Sequence, residues 1–335
     1  MYCYTVYGLN IELSLPLTLL APKKIRNDDV DTFFEFLDET QGEFFSNYSW
    51  QELSLSSGIG ISVRHSKEWI SLAYSKSETE ALTFYISLDG SKVVCVKPYA
   101  IPISDAESFI LGPILGCVLR LRDRICLHAS VMEFESKAFA FVGNKGAGKS
   151  TTAAALINAG AKLISDDVAV LNANDPSDLT VQAGYPGVRL LPSSLSAFHL
   201  NQDNYKRVVS GNNKRYVPLK DSALEANEEP QPGESSHWRF QSKPCSLAVI
   251  YALGGRQNEL IYTQITTLNK QAALMALAPH GYGRRILNMN ERANEFKYIS
   301  QLSKRIPIKS IHCPNKLALL NQIAEEILTD VSTTH

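Results

Sequence analysis

Charge of one sign is what this sequence most plainly lacks: 33 Lys and Arg stand against 34 Asp and Glu, a formal net charge of −1. That excludes a whole-chain basic footprint for nucleic acid. Cysteine is scarce and scattered. Cys3, Cys95, Cys117, Cys126, Cys245 and Cys313 form no CxxC pair and no metal-ligand spacing, which reads as free thiols in a reducing compartment. Long apolar runs are missing too. The longest, FILGPILGCVL from Phe109 to Leu119, is too short to cross a hydrocarbon core of about 30 Å as a helix. The opening MYCYTVYGLN has no basic n-region, so no signal peptide and a cytoplasmic location are expected.

What remains is a globular balance of 44% hydrophobic and 20% charged residues over 335 positions. It rules out a disordered chain and suggests about two domains. Residues 1–103 read as a strand-rich domain that presents a substrate or partner. Tyr2, Tyr4, Val6, Leu9, Ile11 and Leu13 follow period two, and further strands are expected at Gly60–Val63, Trp69–Tyr74, Leu82–Ser87 and Val93–Val96, with Asp89-Gly90 as a hairpin turn. One short helix is expected over Asp28–Leu37. A connecting helix over 104–123 is expected to open on a capping box, Ser104 to Glu107, and to kink at Pro113.

From Arg124 to about residue 330 short apolar strands alternate with helical stretches, the mark of an α/β core. Strands are expected at Ile125–His128, Val131–Phe134, Ala138–Val142, Lys162–Ser165 and Val168–Leu171, and a hairpin at Ser246–Leu253 and Glu259–Thr266 turning on Gly254-Gly255. Helices are expected at Gly148–Asn158, Asn269–Leu277, Arg285–Ser303 and Pro314–Leu328, with Pro314 in the first turn of the last. Polar loops are expected over Asn201–Arg215 and Asp221–Gln241. The second, anchored only by Leu224, Trp238 and Phe240, reads as mobile and part of acceptor recognition.

Gly143-Asn144-Lys145-Gly146-Ala147-Gly148-Lys149-Ser150, followed by Thr151, completes the phosphate-loop pattern between a buried strand and an Ala-rich helix. The residue types follow from the task. Glycines let backbone N–H groups wrap phosphates, and the helix N-terminus adds unpaired donors and its dipole. Lys149 brings a charge to the β- and γ-phosphates, and Ser150 offers a hydroxyl to Mg²⁺. About sixteen residues on, Leu163-Ile164-Ser165-Asp166-Asp167 ends a strand on two carboxylates. If the strand runs through both, they point opposite ways, so one can hold magnesium while the other meets an attacking hydroxyl.

His128 precedes the phosphate loop, and the order His, loop, Asp-Asp falls within 40 residues. The segments LHAS, GNKGAGKST and LISDDVAVL together resemble the catalytic domain of the HPr kinase/phosphorylase family, over roughly 124–330. The resemblance implies an α/β phosphate-loop kinase core of the HPr kinase/carboxykinase type, here behind a smaller strand-rich domain. It implies Asp166 as base toward a serine hydroxyl, His128 beside it, Asp167 and Ser150 on magnesium, and ATP as co-substrate. The segment Gly184-Tyr185-Pro186-Gly187-Val188-Arg189 has the arginine of the family's Glu-x-Arg-Gly signature without its glutamate and following glycine. Reverse phosphorolysis and HPr as acceptor are therefore not implied. The opening YTVYGLNIELSLPL is similar to the N-terminal modules of HPr-kinase-like proteins in peptide-biosynthesis clusters, among them kinases of lasso-peptide precursors.

Lys214 and Arg215, and Arg284 with Arg285 and Arg189, are candidates to reach the phosphates or to face water. The expected activity is serine phosphorylation of a peptide or protein by Mg-ATP. The alternatives are a small-molecule kinase or carboxykinase-like enzyme and a non-catalytic ATP sensor. No nucleic acid or membrane partner is expected, and the sequence leaves the oligomeric state open, a homo-oligomer included.

Overall fold

The computed structural model describes residues 1–55, 61–75, 81–171, 179–222, 237–284 and 286–334. They form a mixed α/β chain with sheets of eight, eleven and two strands. Two compact units emerge: Met1–Arg124 with Gly283–Arg292, and 125–282 with 293–335.

The first unit carries β1 (Tyr2–Val6), β2 (Leu9–Leu13), β3 (Thr32–Leu37), α1 (Glu39–Gly42), β4 (Gln51–Leu55), β5 (Ile61–His65), β6 (Trp69–Ser75), β7 (Ala81–Ser87), β8 (Lys92–Val96), α2 (Ile103–Phe109) and α3 (Leu115–Leu121). The sheet runs β1-β2-β3-β8-β7-β6-β5-β4. β3 lies parallel to both β2 and β8. The helix expected over Asp28–Leu37 is therefore corrected: a single 3₁₀ turn, Asn27–Asp29, leads into β3. Thr32 and Phe34 are fully buried, and this period-two burial, with two strand neighbours, overrides the acidic start that suggested a helix. The Asp89-Gly90 turn joins the antiparallel β7 and β8, with Gly90 at φ +68°. α2 and α3 run on through a π-helical turn, Ile110–Ile114, that contains Pro113. The expected capping box is absent, because Pro102 takes the cap position. Glu107 is buried instead and accepts from Thr18 Oγ1 (2.7 Å) and from the Leu19 N–H (2.6 Å).

The second unit contains β9 (Ile125–Leu127), β10 (Ala129–Phe134), β11 (Lys137–Val142), α4 (Lys149–Asn158), β12 (Lys162–Ser165), β13 (Ala169–Leu171), β14 (Thr180–Gln182), β15 (Gly187–Leu190), α5 (Pro192–Ala197), β16 (Arg215–Pro218), β17 (Lys220–Asp221), β18 (Arg239–Phe240), β19 (Cys245–Leu253), β20 (Gln264–Thr267), α6 (Lys270–Leu277), β21 (Ile308–His312) and α8 (Leu320–Thr333), with α7 (Met289–Arg305), which joins this unit from Ala293 on, preceding β21. The large sheet runs β17-β18-β12-β10-β11-β19-β14-β13-β9, with β21 beside β19 and β20 beside β21. β11, β19 and β21 are parallel. Period two in β11 divides the core. Phe139 and Phe141 face the cluster built by α4 and α8, while Ala138, Ala140 and Val142 face the one holding Ala273, Leu277, Tyr298 and Leu302.

Three further expectations change here. β20 pairs with β21, so Gly254-Gly255 does not close a hairpin with β19. β19 instead carries on beside β21, with Gln257 bridged to Pro314. Pro314 lies ahead of α8, which begins at Leu320, and its carbonyl accepts from Arg256. Most of the loop expected to be mobile, residues 223–236 with Leu224, lies outside the described residues. Its far end is core: Trp238 is 1% exposed and Phe240 pairs with Leu163 of β12. Replacing Trp238 by Ala should cost about 3–5 kcal/mol, the usual range for emptying such a site. Denaturant titration checks this, and a loss below about 1 kcal/mol would return Trp238 to the loop.

Candidate nucleotide and phosphoryl-transfer site

β11 ends at Val142 and α4 begins at Lys149, so the phosphate loop joins a buried strand to a helix N-terminus. Gly146 and Gly148 have φ of +87° and +97°, a region that costs a side chain energy and a glycine none. Lys149 is buried, and its Nζ donates to the Gly143 carbonyl at 2.7 Å. Burial, followed by the charge of Lys214, lowers its pKa, while Asp167 and Asp166 oppose the shift. An ammonium has three donors, so one can hold the loop while others meet phosphate oxygens. Asn144, Lys145 and Gly146 are exposed, and Ala147 is half-buried. The Thr151 hydroxyl bonds Ser194 Oγ at 2.9 Å.

β12 stops at Ser165, so the strand does not run through the two aspartates. Ser165 Oγ donates to the Val168 carbonyl (2.6 Å) across a tight turn, and Asp167 takes a left-handed φ of +77°. That backbone, rather than strand alternation, separates the carboxylates. Asp166 is 2% exposed. It accepts from Ser130 Oγ (2.6 Å) and from the Arg189 N–H (3.3 Å), and Ser150 Oγ stands 3.5 Å from both its oxygens. The Asp167 side chain is 30% exposed and meets His128 Nδ1 at 3.1 Å and Arg189 Nη1 at 3.9 Å. Burial alone would raise the Asp167 pKa. The His128 hydrogen bond and the charges of Arg189, His128 and Lys214 outweigh it and hold the carboxyl at about 2.

His128 Nδ1 also lies 3.0 Å from the Asp167 backbone carbonyl. A carbonyl and an ionised carboxylate only accept, so Nδ1 must carry the proton, and in neutral imidazole that leaves Nε2 with its lone pair. The resemblance set His128 beside Asp166; here its partner is Asp167.

The other candidates divide. Lys214, half-buried, is near enough to act on both Lys149 and Asp167. Arg189 contacts both aspartates and lies over the Tyr185 ring. Arg215 is 9% exposed on β16 opposite Leu190. That register puts it on the face of Val188, Leu190 and Val217, opposite to Arg189. Arg284 is exposed in the first unit, where its carbonyl accepts from Arg292 Nη2, and Arg285 lies outside the described residues.

Sequence reasoning passed over Ser130, Arg256 and His280. Ser130 follows His128 by two positions in LHAS, which is its only sequence signal. Arg256 packs against Gly148 and donates to Thr152 Oγ1 (3.0 Å). The His280 carbonyl accepts the His128 N–H at 2.7 Å, and Tyr282 N–H bonds Cys126 O, extending the pairing along β9. No group of three or more His, Cys, Asp or Glu that could hold a metal occurs among the described residues. Nor, among them, is any helix long and apolar enough to cross a membrane.

No protein-family model matches the chain, and no curated protein does. A solved structure that does match is the Hpr(Ser) kinase/phosphatase from Coxiella burnetii, with 12% identity and a TM-score of 0.30 over 62% of this chain and 98% of that one. At that TM-score the likeness is distant.

Burial, then the charges of Lys149 and His128, lowers the His280 pKa from 6.5 to about 4. Between those values the unfolded chain binds the proton and the folded chain does not. The stability tied to neutral His280 is therefore complete above pH 6.5 and is lost as pH falls toward 4. His280→Gln should flatten the stability profile across that window, as read by denaturant unfolding at several pH values. An unchanged slope would remove His280 from the account.

Proposed function

We propose that the protein is an ATP- and Mg²⁺-dependent kinase that passes the γ-phosphoryl group to the hydroxyl of a serine in a peptide or protein. The observation that carries the reading is the convergence, within one unit, of a complete phosphate loop, a buried Asp166 facing Ser150, and an Asp167–His128 pair reaching the surface. A nucleotide sensor needs the first of these but no oriented base.

In this reading the aspartates take the reverse of the roles that the resemblance implies. Asp166 and Ser150 would hold the magnesium, which typically takes one or two protein oxygens beside substrate phosphates. When bound, the ion would neutralise charge on the phosphates. Asp166, 2% exposed, is turned toward Ser150, whereas the Asp167 and His128 side chains are about a third exposed and so the more accessible to an acceptor hydroxyl. Asp167 fixes the His128 tautomer, and Nε2 accepts the serine proton as the new O–P bond forms and ADP leaves. Lys149 meets the phosphate chain, with Lys214 and Arg189 adding positive charge on the acceptor side. The serine acceptor rests on the LHAS, GNKGAGKST and LISDDVAVL segments, and within that class a lasso-peptide precursor rests on the opening YTVYGLNIELSLPL. Magnesium dependence rests on the Ser150–Asp166 pair.

The test is phosphopeptide formation measured alongside Mg-ATP affinity. His128→Ala should lower turnover about a hundredfold or more, the usual scale for a positioned base, with little change in affinity. Asp166→Asn should instead weaken Mg-ATP binding. Near-normal turnover in folded His128→Ala would reject the base assignment.

A further inference from the structure

The phosphate loop has two sides in the sheet. On one side of β11, β10 carries Ser130 and Asp166 follows the end of β12. With Ser150 and Lys149 they mark the γ-phosphate end, so an extended nucleotide must leave the loop in the other direction, over the carboxyl ends of the parallel β19 and β21. Ligands in such sheets lie outside the carboxyl ends of parallel strands.

What stands there is built. The segments after β19 and β21 are laced together: Gln257 N–H donates to Cys313 O (3.0 Å) and Asn315 N–H to Gln257 O (2.9 Å). A Cβ on Gly254 would overlap the His312 ring, and Gln257 Nε2 lies 3.1 Å from His312 Nδ1. Arg256 ties this block to the phosphate loop. Its guanidinium donates to Pro314 O (3.2 Å) and Thr152 Oγ1 (3.0 Å), and a Cβ on Gly148 would stand 3.1 Å from its Nη2. A cation beside a helix N-terminus opposes the dipole unless an anion lies between them. At the rim, Asn315 Nδ2 donates to Asn258 Oδ1 (2.9 Å), both side chains exposed. The bond leaves the Asn258 amino group available as donor and Asn315 Oδ1 as acceptor.

We infer that this block is the nucleoside subsite of the proposed kinase: Arg256 borders the phosphate chain at its ribose end, and the Asn258–Asn315 amide pair reads the base, favouring adenine over guanine. The pair presents a donor from Asn258 and an acceptor from Asn315. That matches the N7 acceptor and N6 amino donor of adenine, while guanine presents two acceptors, O6 and N7, along the same edge. The inference rests on the phosphate-loop reading and adds to it where the base lies and which base is preferred.

The test is calorimetric titration of the full chain with Mg-ATP, Mg-GTP and magnesium tripolyphosphate, which has phosphates and no base. Both asparagines are exposed, so Asn258→Ala and Asn315→Ala should fold; unfolding curves verify that. Each should weaken ATP binding about tenfold, the scale of one lost amide–base pairing. Each should also narrow the ATP-to-GTP preference and leave tripolyphosphate affinity unchanged. If the wild-type chain binds ATP while both variants keep its affinity and base preference, this placement is wrong and the phosphate loop stands. Equal loss for ATP and tripolyphosphate would also overturn it. If the wild-type chain binds neither compound, the phosphate-loop reading and this placement fall together.

Discussion

A carboxylate withdrawn from water must find donors on every side, or the fold that buries it does not persist. Asp166 is that group here. Its oxygens are met by a hydroxyl from β10, a backbone N–H from β15 and, slightly farther off, the hydroxyl of Ser150 on α4. Four separate stretches of chain therefore have to arrive at one point. Each arrives for an independent reason: β10 and β12 by antiparallel pairing, β15 through the small sheet with β16, and α4 by packing its Ala-rich face on the large sheet. Core packing places the elements, and the buried carboxylate fixes their register where phosphate chemistry would occur.

The neighbouring residue inverts that environment within one step of chain. A left-handed backbone at Asp167 is uncommon for anything but glycine, though asparagine and aspartate tolerate it best. It turns the second carboxylate toward His128 and Arg189 and toward solvent. Local strain of this kind is held only where surrounding contacts over-determine it, and the Ser165-to-Val168 bond with the two His128 contacts does so. One dipeptide thus supplies a buried carboxylate turned toward Ser150 and a more open, histidine-coupled one.

Much of this was legible in the sequence. Period two located β1 and β2, short apolar runs located β9 to β13 and β19, and the glycine spacing of 143–150 located the loop. Errors fell where local pattern and tertiary pairing disagree. Thr32–Leu37 looked helical from its acidic lead-in, yet two strand neighbours claim it. Gly254-Gly255 looked like a hairpin turn, yet its glycine makes room for a histidine from β21. At the site, residue identities were readable and residue partners were not. His128 could be named from LHAS, but which aspartate it meets depends on a φ angle that no spacing rule reports. Arg256 and His280 carry no motif: Arg256 is placed by β19 running parallel to β11, and His280 by an antiparallel bridge to β9, contacts between residues far apart in the chain.

The most direct measurement is a crystal structure of the protein with Mg²⁺ and a non-hydrolysable ATP analogue. The account predicts a metal held by Ser150 and Asp166, with the γ-phosphate between Lys149 and the Asp167–His128 pair. A metal held by Asp167 with Asp166 facing an open acceptor cleft would contradict it, as would a phosphate loop that takes up no nucleotide.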